Sequence, residues 1–242
     1  CMVGNPINLV TGNKYHEEVD FATATESPIY VKRSYNSSSN KVGLFGYGWN
    51  SNIEERVELN NTAEQAAVVS ANASVQRFDL VNGVWIDASS SKGTLERLHD
   101  GSWKYTLFNK TVKTYNSQGQ ILKVKYPNGF EVSYNYSNGR LQNILDIYGY
   151  EISFTYNAAG FVESMTNPDD NTTNYLYNGQ KLEYVIYPDL TPGTLGDNPR
   201  KQYLYEKTEP GFEHLLTGLI DEENIRFATW DYNEVGQAIY SE

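Results

Sequence analysis

One short pattern returns at almost constant spacing and restricts the fold more than anything else in the chain. Tyr115, Tyr136, Tyr156 and Tyr177 are separated by 21, 20 and 21 residues, and a glycine follows each after two to four positions: Gly119, Gly139, Gly160 and Gly179. Self-similarity at a period in the twenties belongs to arrays in which one supersecondary unit stacks on the next. Each unit reads as a β-hairpin. Before the marker tyrosine the chain alternates in period two, with Val132, Tyr134 and Tyr136 set against Glu131, Ser133 and Asn135. Ile152, Phe154 and Tyr156 are set in the same way against Glu151, Ser153 and Thr155. That is the grammar of a strand packed on one face and hydrated on the other.

After the glycine an apolar residue stands two places on in three of the four units (Ile121, Leu141, Val162), while Lys181 departs. The segments end in turn signals: Pro127-Asn128-Gly129, Tyr148-Gly149, Pro168-Asp169-Asp170-Asn171 and Pro188-Asp189. Proline presets φ for such turns, and Gly and Asn accept positive φ with little strain. A repeat of about 20 residues is then two strands of ordinary length and two turns.

The stretch Tyr136-Ser137-Asn138-Gly139-Arg140-Leu141, followed by Tyr148-Gly149 and Phe154-Thr155-Tyr156-Asn157, resembles the YD repeat of the Rhs/YD-repeat family. It departs at the second marker position, where Asn116, Ser137, Asn157 and Asn178 replace the family's Asp; the shape of the hairpin does not need that charge. A second resemblance lies near the N-terminus. Gly4-Asn5-Pro6-Ile7-Asn8, Thr11-Gly12-Asn13-Lys14-Tyr15, Arg33-Ser34-Tyr35-Asn36-Ser37 and Gly46-Tyr47-Gly48-Trp49 are similar, in this order, to the domain that precedes the repeats in bacterial Rhs proteins.

The resemblance implies an all-β fold of stacked β-hairpin YD repeats in a curved antiparallel sheet, a segment of a β-shell, with a small β-rich, plug-like N-terminal domain. The expected divisions are a plug or cap over residues 1–75, degenerate repeats over 76–114 and YD repeats over 115–242. It also implies a function: the shell of the family's toxins, like that of teneurins, is built from many such repeats. In the toxins it encloses a C-terminal toxin domain, which is absent from this sequence. The expected partners are the remainder of the shell and that effector, and the expected location is secreted or on the bacterial cell surface.

Composition fits this reading. Twenty tyrosines, nine phenylalanines and four tryptophans occur in 242 residues at a mean hydropathy of −0.57, so rings with polar tips carry much of the apolar burial. Nineteen basic against 30 acidic residues give a net charge of −11, and the basic ones do not cluster. Nucleic acid and anionic membrane surfaces are therefore not expected as ligands. No apolar run reaches the length of a spanning helix, so membrane insertion by this segment is not expected either. One cysteine, Cys1, permits no internal disulfide. The start at Cys1 and the break in the pattern at Glu242 read as a segment of a longer protein. An unpaired strand at that end predicts self-association by strand addition.

Residues 1–59 contain short strands at Asn8–Val10, Lys14–Phe21, Ile29–Tyr35 and Asn52–Leu59. Gly43, Gly46 and Gly48 let the backbone turn around Phe45, Tyr47 and Trp49; this cluster is either a plug over a sheet edge or a platform for a ligand. Residues 60–75 carry no aromatic ring and leave helical turns and a mobile loop both open. From Gln76 to Thr114 strand grammar resumes around Phe78, Trp85, Leu95, Trp103 and Tyr105. After Tyr177 the period lengthens through an insertion at Thr191–Pro199, then Tyr203-Leu204-Tyr205 and Trp230-Asp231-Tyr232 with Gly236 restore it.

Chemistry-bearing motifs are sparse. His16, His99 and His214 have no metal-ligand spacing, and neither a metal nor a cofactor is expected. Gly43-x-x-Gly46-x-Gly48 precedes no helix that could cradle a phosphate. Asp169-Asp170-Asn171 reads as a turn before it reads as a calcium loop. Glu18 and Asp20 share one face of a strand and Glu17 takes the other, as on a solvated edge. Six glycosylation sequons, at Asn36, Asn60, Asn72, Asn109, Asn135 and Asn171, would matter only in a eukaryotic secretory setting. The expectation is a non-enzymatic module, with Tyr115, Gly119, Tyr136, Gly139, Arg140, Tyr156, Gly160, Tyr177, Gly179, Tyr232 and Gly236 defining its repeats. The alternative is an adhesive or carbohydrate-binding module whose exposed rings, Tyr47, Trp49 and Trp103, meet a cell-surface glycan or protein.

Overall fold

The computed structural model describes residues 2–3, 7–8, 10–24, 29–88, 93–189, 191 and 198–242. Cys1, the Gly4-Asn5-Pro6 part of the N-terminal motif and most of the Thr191–Pro199 insertion lie outside the described residues. Everything regular among the described residues is β-strand, apart from one 3-10 turn at Asn52–Glu54. The chain forms two compact units, each drawing on separate stretches of sequence.

One unit comprises residues 21–31 and 51–153. Its strands run Arg56–Leu59, Gln65–Val69, Val75–Val81, Val84–Asp87, Thr94–Arg97, Trp103–Thr106, Val112–Tyr115, Ile121–Lys125, Glu131–Ser137 and Arg140–Asp146, each antiparallel to the next. The stretch left open between helix and loop holds a strand at Gln65–Val69 between two turns. Ala66, Val68 and Val69 are buried where Gln65–Val69 pairs with both neighbours, so flanking partners decide what weak local propensity does not.

The other unit comprises residues 1–20, 32–50 and 154–242. The same antiparallel succession runs through Val162–Thr166, Thr172–Asn178, Lys181–Ile186, Arg200–Leu204, Gly218–Ile220, Arg226–Tyr232 and Ala238–Ser241. Its N-terminal part includes a small hairpin in which Val42 pairs with Tyr47 and Gly43 with Gly46.

The expected alternation is present, with Val132, Tyr134, Ile152 and Phe154 buried. The ring that enters the core most consistently is nevertheless not the marker tyrosine but the residue two places before it. Tyr134, Phe154, Tyr175, Tyr203 and Trp230 are all buried, whereas the markers Tyr136, Tyr156 and Tyr177 are half-buried. Period two puts both on one face, and the markers Tyr115 and Tyr232 are buried as well, so cover over the marker varies from hairpin to hairpin. Leu182 does in the fourth unit what Leu141 does in the second: it is buried and lies opposite the marker, Tyr177 or Tyr136. The apparent departure at Lys181 is therefore an offset of one residue. Arg140 is exposed and pairs with Ser137 to close the Asn138-Gly139 turn, both of whose residues have positive φ.

The second marker position has a definite task in the hairpin marked by Tyr115, and other turns of the chain repeat it. Asn116 Oδ1 accepts the backbone N–H of Gln118 at 3.1 Å and of Gln120 at 2.8 Å, while Gly119 N–H donates to the Asn116 carbonyl at 2.9 Å. The side-chain oxygens of Asp146, Asn167, Asp221 and Asn233 each accept the same pair of amides, two and four residues on. Three residues after each of these stands a positive-φ residue: Gly149, Asp170, Asn224 and Gly236. The turn needs an acceptor oxygen and a left-handed residue, not a charge. Asn116→Asp is therefore expected to leave stability almost unchanged. Asn116→Ala is expected to lower it by about 1 kcal/mol, as read from urea midpoints. Asp169 and Asp170 belong to such a turn.

Candidate functional site: a caged ion pair beneath the N-terminal motifs

Within the unit that contains residues 154–242, the N-terminal motifs are seated on the turns of successive hairpins. Ala238 N–H donates to the Gly12 carbonyl at 2.7 Å, Tyr47 N–H to the Gln180 carbonyl at 2.8 Å, and Val162 N–H to the Leu44 carbonyl at 2.9 Å. A Cβ on Gly46 would lie 2.5 Å from the Gln180 carbonyl oxygen, so a side chain there would block the contact. These glycines let two backbones approach each other, which is a different need from turning sharply.

The Arg33-Ser34-Tyr35 motif supplies the centre. Arg33 donates from Nε and Nη2 to the two Asp20 oxygens at 2.6 and 2.7 Å, a bidentate pair whose two side chains are both 0% exposed. Nη2 also donates to the Tyr203 hydroxyl at 3.0 Å, and the Tyr175 hydroxyl donates to Asp20 Oδ2 at 2.9 Å. The guanidinium carbon lies 4.8 Å from the Trp49 ring centre and 5.5–5.6 Å from Phe45, Tyr175 and Tyr203. Nη1 has no hydrogen-bond partner among the described residues, and the rings offer it their electron-rich faces instead. Burial works against the charge on Arg33 and is outweighed by Asp20, so its pKa is raised. Trp49 Nε1 donates to the Tyr205 hydroxyl at 3.2 Å, and the Tyr35 hydroxyl accepts from Leu216 N–H at 3.0 Å.

A second polar group adjoins it. Glu18 receives His16 Nε2 at 2.8 Å and Lys201 Nζ at 3.1 Å, and Lys201 also lies 3.7 Å from Glu222. Glu18 and Asp20 do share a face, but that face is covered, because Arg33, Tyr175 and Tyr203 close over it; it is not a solvated edge. Lys14 is buried with Nζ 4.0 Å from the Trp230 ring centre. Burial brings its pKa down to about 7. Burial also lowers His16, against the pull of Glu18. Glu18 falls to about 2, because His16, Arg33 and Lys201 outweigh a burial effect of the opposite sign.

All three shifts have the same consequence for stability. The unfolded chain holds the extra proton on Lys14 between pH 10.5 and about 7, on His16 below 6.5, and on Glu18 between 4.5 and about 2. Stability is therefore expected to fall as pH falls through each window. Denaturation midpoints at several pH values check this, and Lys14→Met should flatten the slope between neutral and alkaline pH.

The rings expected to form an exposed platform are placed differently. Trp49 and Trp103 are each only 2% exposed. Trp49 covers Arg33, and Trp103 packs against Trp85 with ring centres 5.3 Å apart. Tyr47 is half-buried, its ring centre 4.1 Å from that of His214. Neither tryptophan is presented to solvent, because strand alternation turns both inward. Arg33 and Asp20 were not expected at a site. An arginine inside the alternating stretch Val31–Tyr35 was the available signal, since an inward charge requires a partner.

The model of one protein family, a domain of unknown function called DUF6531, matches residues 4–78. No curated protein matches the chain. Several solved structures do. The Photorhabdus luminescens Tc holotoxin pore, in a TccC3 mutant, is 15% identical at a TM-score of 0.39, over 98% of this chain and 12% of that one. The crystal structure of TcdB2-TccC3-Cdc42 is 12% identical at 0.35, over 95% and 15%. That of TcdB2-TccC3 without its hypervariable C-terminal region is 13% identical at 0.36, over 97% and 15%. This chain spans roughly an eighth to a sixth of the length of these three chains.

Proposed function

We propose that this chain is a non-enzymatic structural segment of an Rhs/YD-repeat protein, a stretch of β-shell that encloses or delivers a C-terminal toxin domain lying outside this sequence. The recurrence of one hairpin carries the reading: an Asx-type turn, a left-handed residue and an inward ring two places before the marker return in both units. A unit of this kind exposes its apolar face unless neighbours stack on it, so it belongs to a long array. The N-terminal motifs support the same reading, because their glycines and carbonyls are spent on hairpin turns, as a plug's would be. The caged Asp20–Arg33 pair spends its polar groups on one another and on two tyrosines, an arrangement suited to holding elements in place. The partners are the remaining shell and the effector it carries, in a protein secreted by a bacterium or displayed on its surface. No helix among the described residues is long and apolar enough to cross a membrane.

Limited proteolysis of the full-length parent tests this. The C-terminal domain should resist protease inside the intact protein and be digested readily when expressed alone. Equal sensitivity in the two forms would refute containment.

A further inference from the structure

In the unit made of residues 21–31 and 51–153, the inward position two places before the marker is broken once. Where the later hairpins carry Tyr134, Phe154, Tyr175, Tyr203 and Trp230, the hairpin marked by Tyr115 has Lys113. Its side chain is 17% exposed and meets Glu55, 9% exposed, which follows the 3-10 turn of the N-terminal segment. Lysine leaves open the space that a ring would fill, and a cleft of about 210 Å³, partly open to solvent, lies there.

The walls divide by chemistry. Val124 and Val132 face Lys113 in the same cross-strand row, and Ile29, Leu107 and Ile144 extend the apolar part. The ion pair stands beside Asn52 and the rings of Tyr30, Tyr126 and Tyr134. Burial, with Glu55 adding to it, raises all three phenols, so they remain protonated donors at neutral pH.

A ligand with one charge would capture either Glu55 or Lys113 and strand the other in a largely covered site, a costly outcome. A ligand carrying both charges on one carbon satisfies each side chain without separating them. An apolar body on that ligand then matches the five aliphatic side chains. We propose that this cavity binds a free α-amino acid with an aliphatic or aromatic side chain, its carboxylate on Lys113 and its ammonium on Glu55.

Calorimetric titration of the whole chain tests the proposal, with L-leucine and L-phenylalanine as probes and isoamylamine, 4-methylpentanoate and glycine as controls. Saturable binding of the first two, at least about tenfold tighter than any control, is the expected result. No saturable heat at millimolar probe, or equal binding of the amine or the acid alone, would overturn it. The double variant E55M/K113M replaces the pair by apolar side chains of similar length and should fold but lose binding. Val132→Phe, which fills the cavity and keeps the pair, should do the same. Undiminished binding in either folded variant would also overturn the proposal.

Discussion

Arg33→Ala is expected to destabilise the chain by about 3–5 kcal/mol. The loss has an identifiable origin. Removing the guanidinium leaves the Asp20 side chain without its charged partner in a site where both are 0% exposed, and among the described residues the Tyr175 hydroxyl alone still donates to it. It also withdraws the cation around which Trp49, Phe45, Tyr175 and Tyr203 are arranged. Arg33→Lys should recover little, since a point charge cannot reproduce two parallel bonds to one carboxylate or lie flat among rings. Asp20→Asn isolates the electrostatic part, because it keeps the shape and removes the negative charge. Urea denaturation followed by tryptophan fluorescence, with Trp49 against the guanidinium, reads the effect. A loss below about 1 kcal/mol for Arg33→Ala, the range of exposed pairs, would show that the cage does not depend on the charge.

The second large effect is expected at Gly119, and Gly139 provides its control. Both have positive φ, +83° and +75°, so alanine at either incurs the left-handed penalty of about 1–2 kcal/mol. They differ in surroundings. A Cβ on Gly139 meets nothing within 4 Å, whereas one on Gly119 would lie 1.9 Å from the Val57 carbonyl oxygen. Gly119 is also held from the other side, because its carbonyl accepts the Val57 N–H at 2.8 Å. Backbone cannot swing aside as a flexible side chain can, so Gly119→Ala should exceed Gly139→Ala by about 1–3 kcal/mol. Equal losses in the two variants would mean that the contact between strand Arg56–Leu59 and this turn is dispensable. In the repeat pattern the two glycines look equivalent, and only the structure distinguishes them.

The period of the tyrosines, the alternation before them and the turn residues after them were enough to predict hairpins, their approximate bounds and an all-β fold. These features act within a few residues of one another: alternation follows from the pleat, and positive φ from the absence of a Cβ. The strand at Gln65–Val69 was not legible, because the glutamine and alanines ahead of Val68 and Val69 pull against their strand preference and its two partners decide the outcome. Burial of Trp49 and Trp103 was not legible either, since a tryptophan on an alternating strand looks the same whether its face meets water or another layer.

The site was partly readable. The sequence by itself determined that Glu18 and Asp20 share a face, that Arg33 shares the period-two face of Val31 and Tyr35, and that Lys113 stands where other hairpins carry a ring. Only the tertiary structure decided that Arg33 meets Asp20, that Lys113 meets Glu55, and that one pair is caged while the other borders a cavity. The reason is physical: side-chain direction along a strand follows from local geometry, but the partner of an inward charge comes from a segment 13 residues away in one case and 58 in the other. No periodicity links positions so far apart, and their meeting depends on the packing of the whole unit.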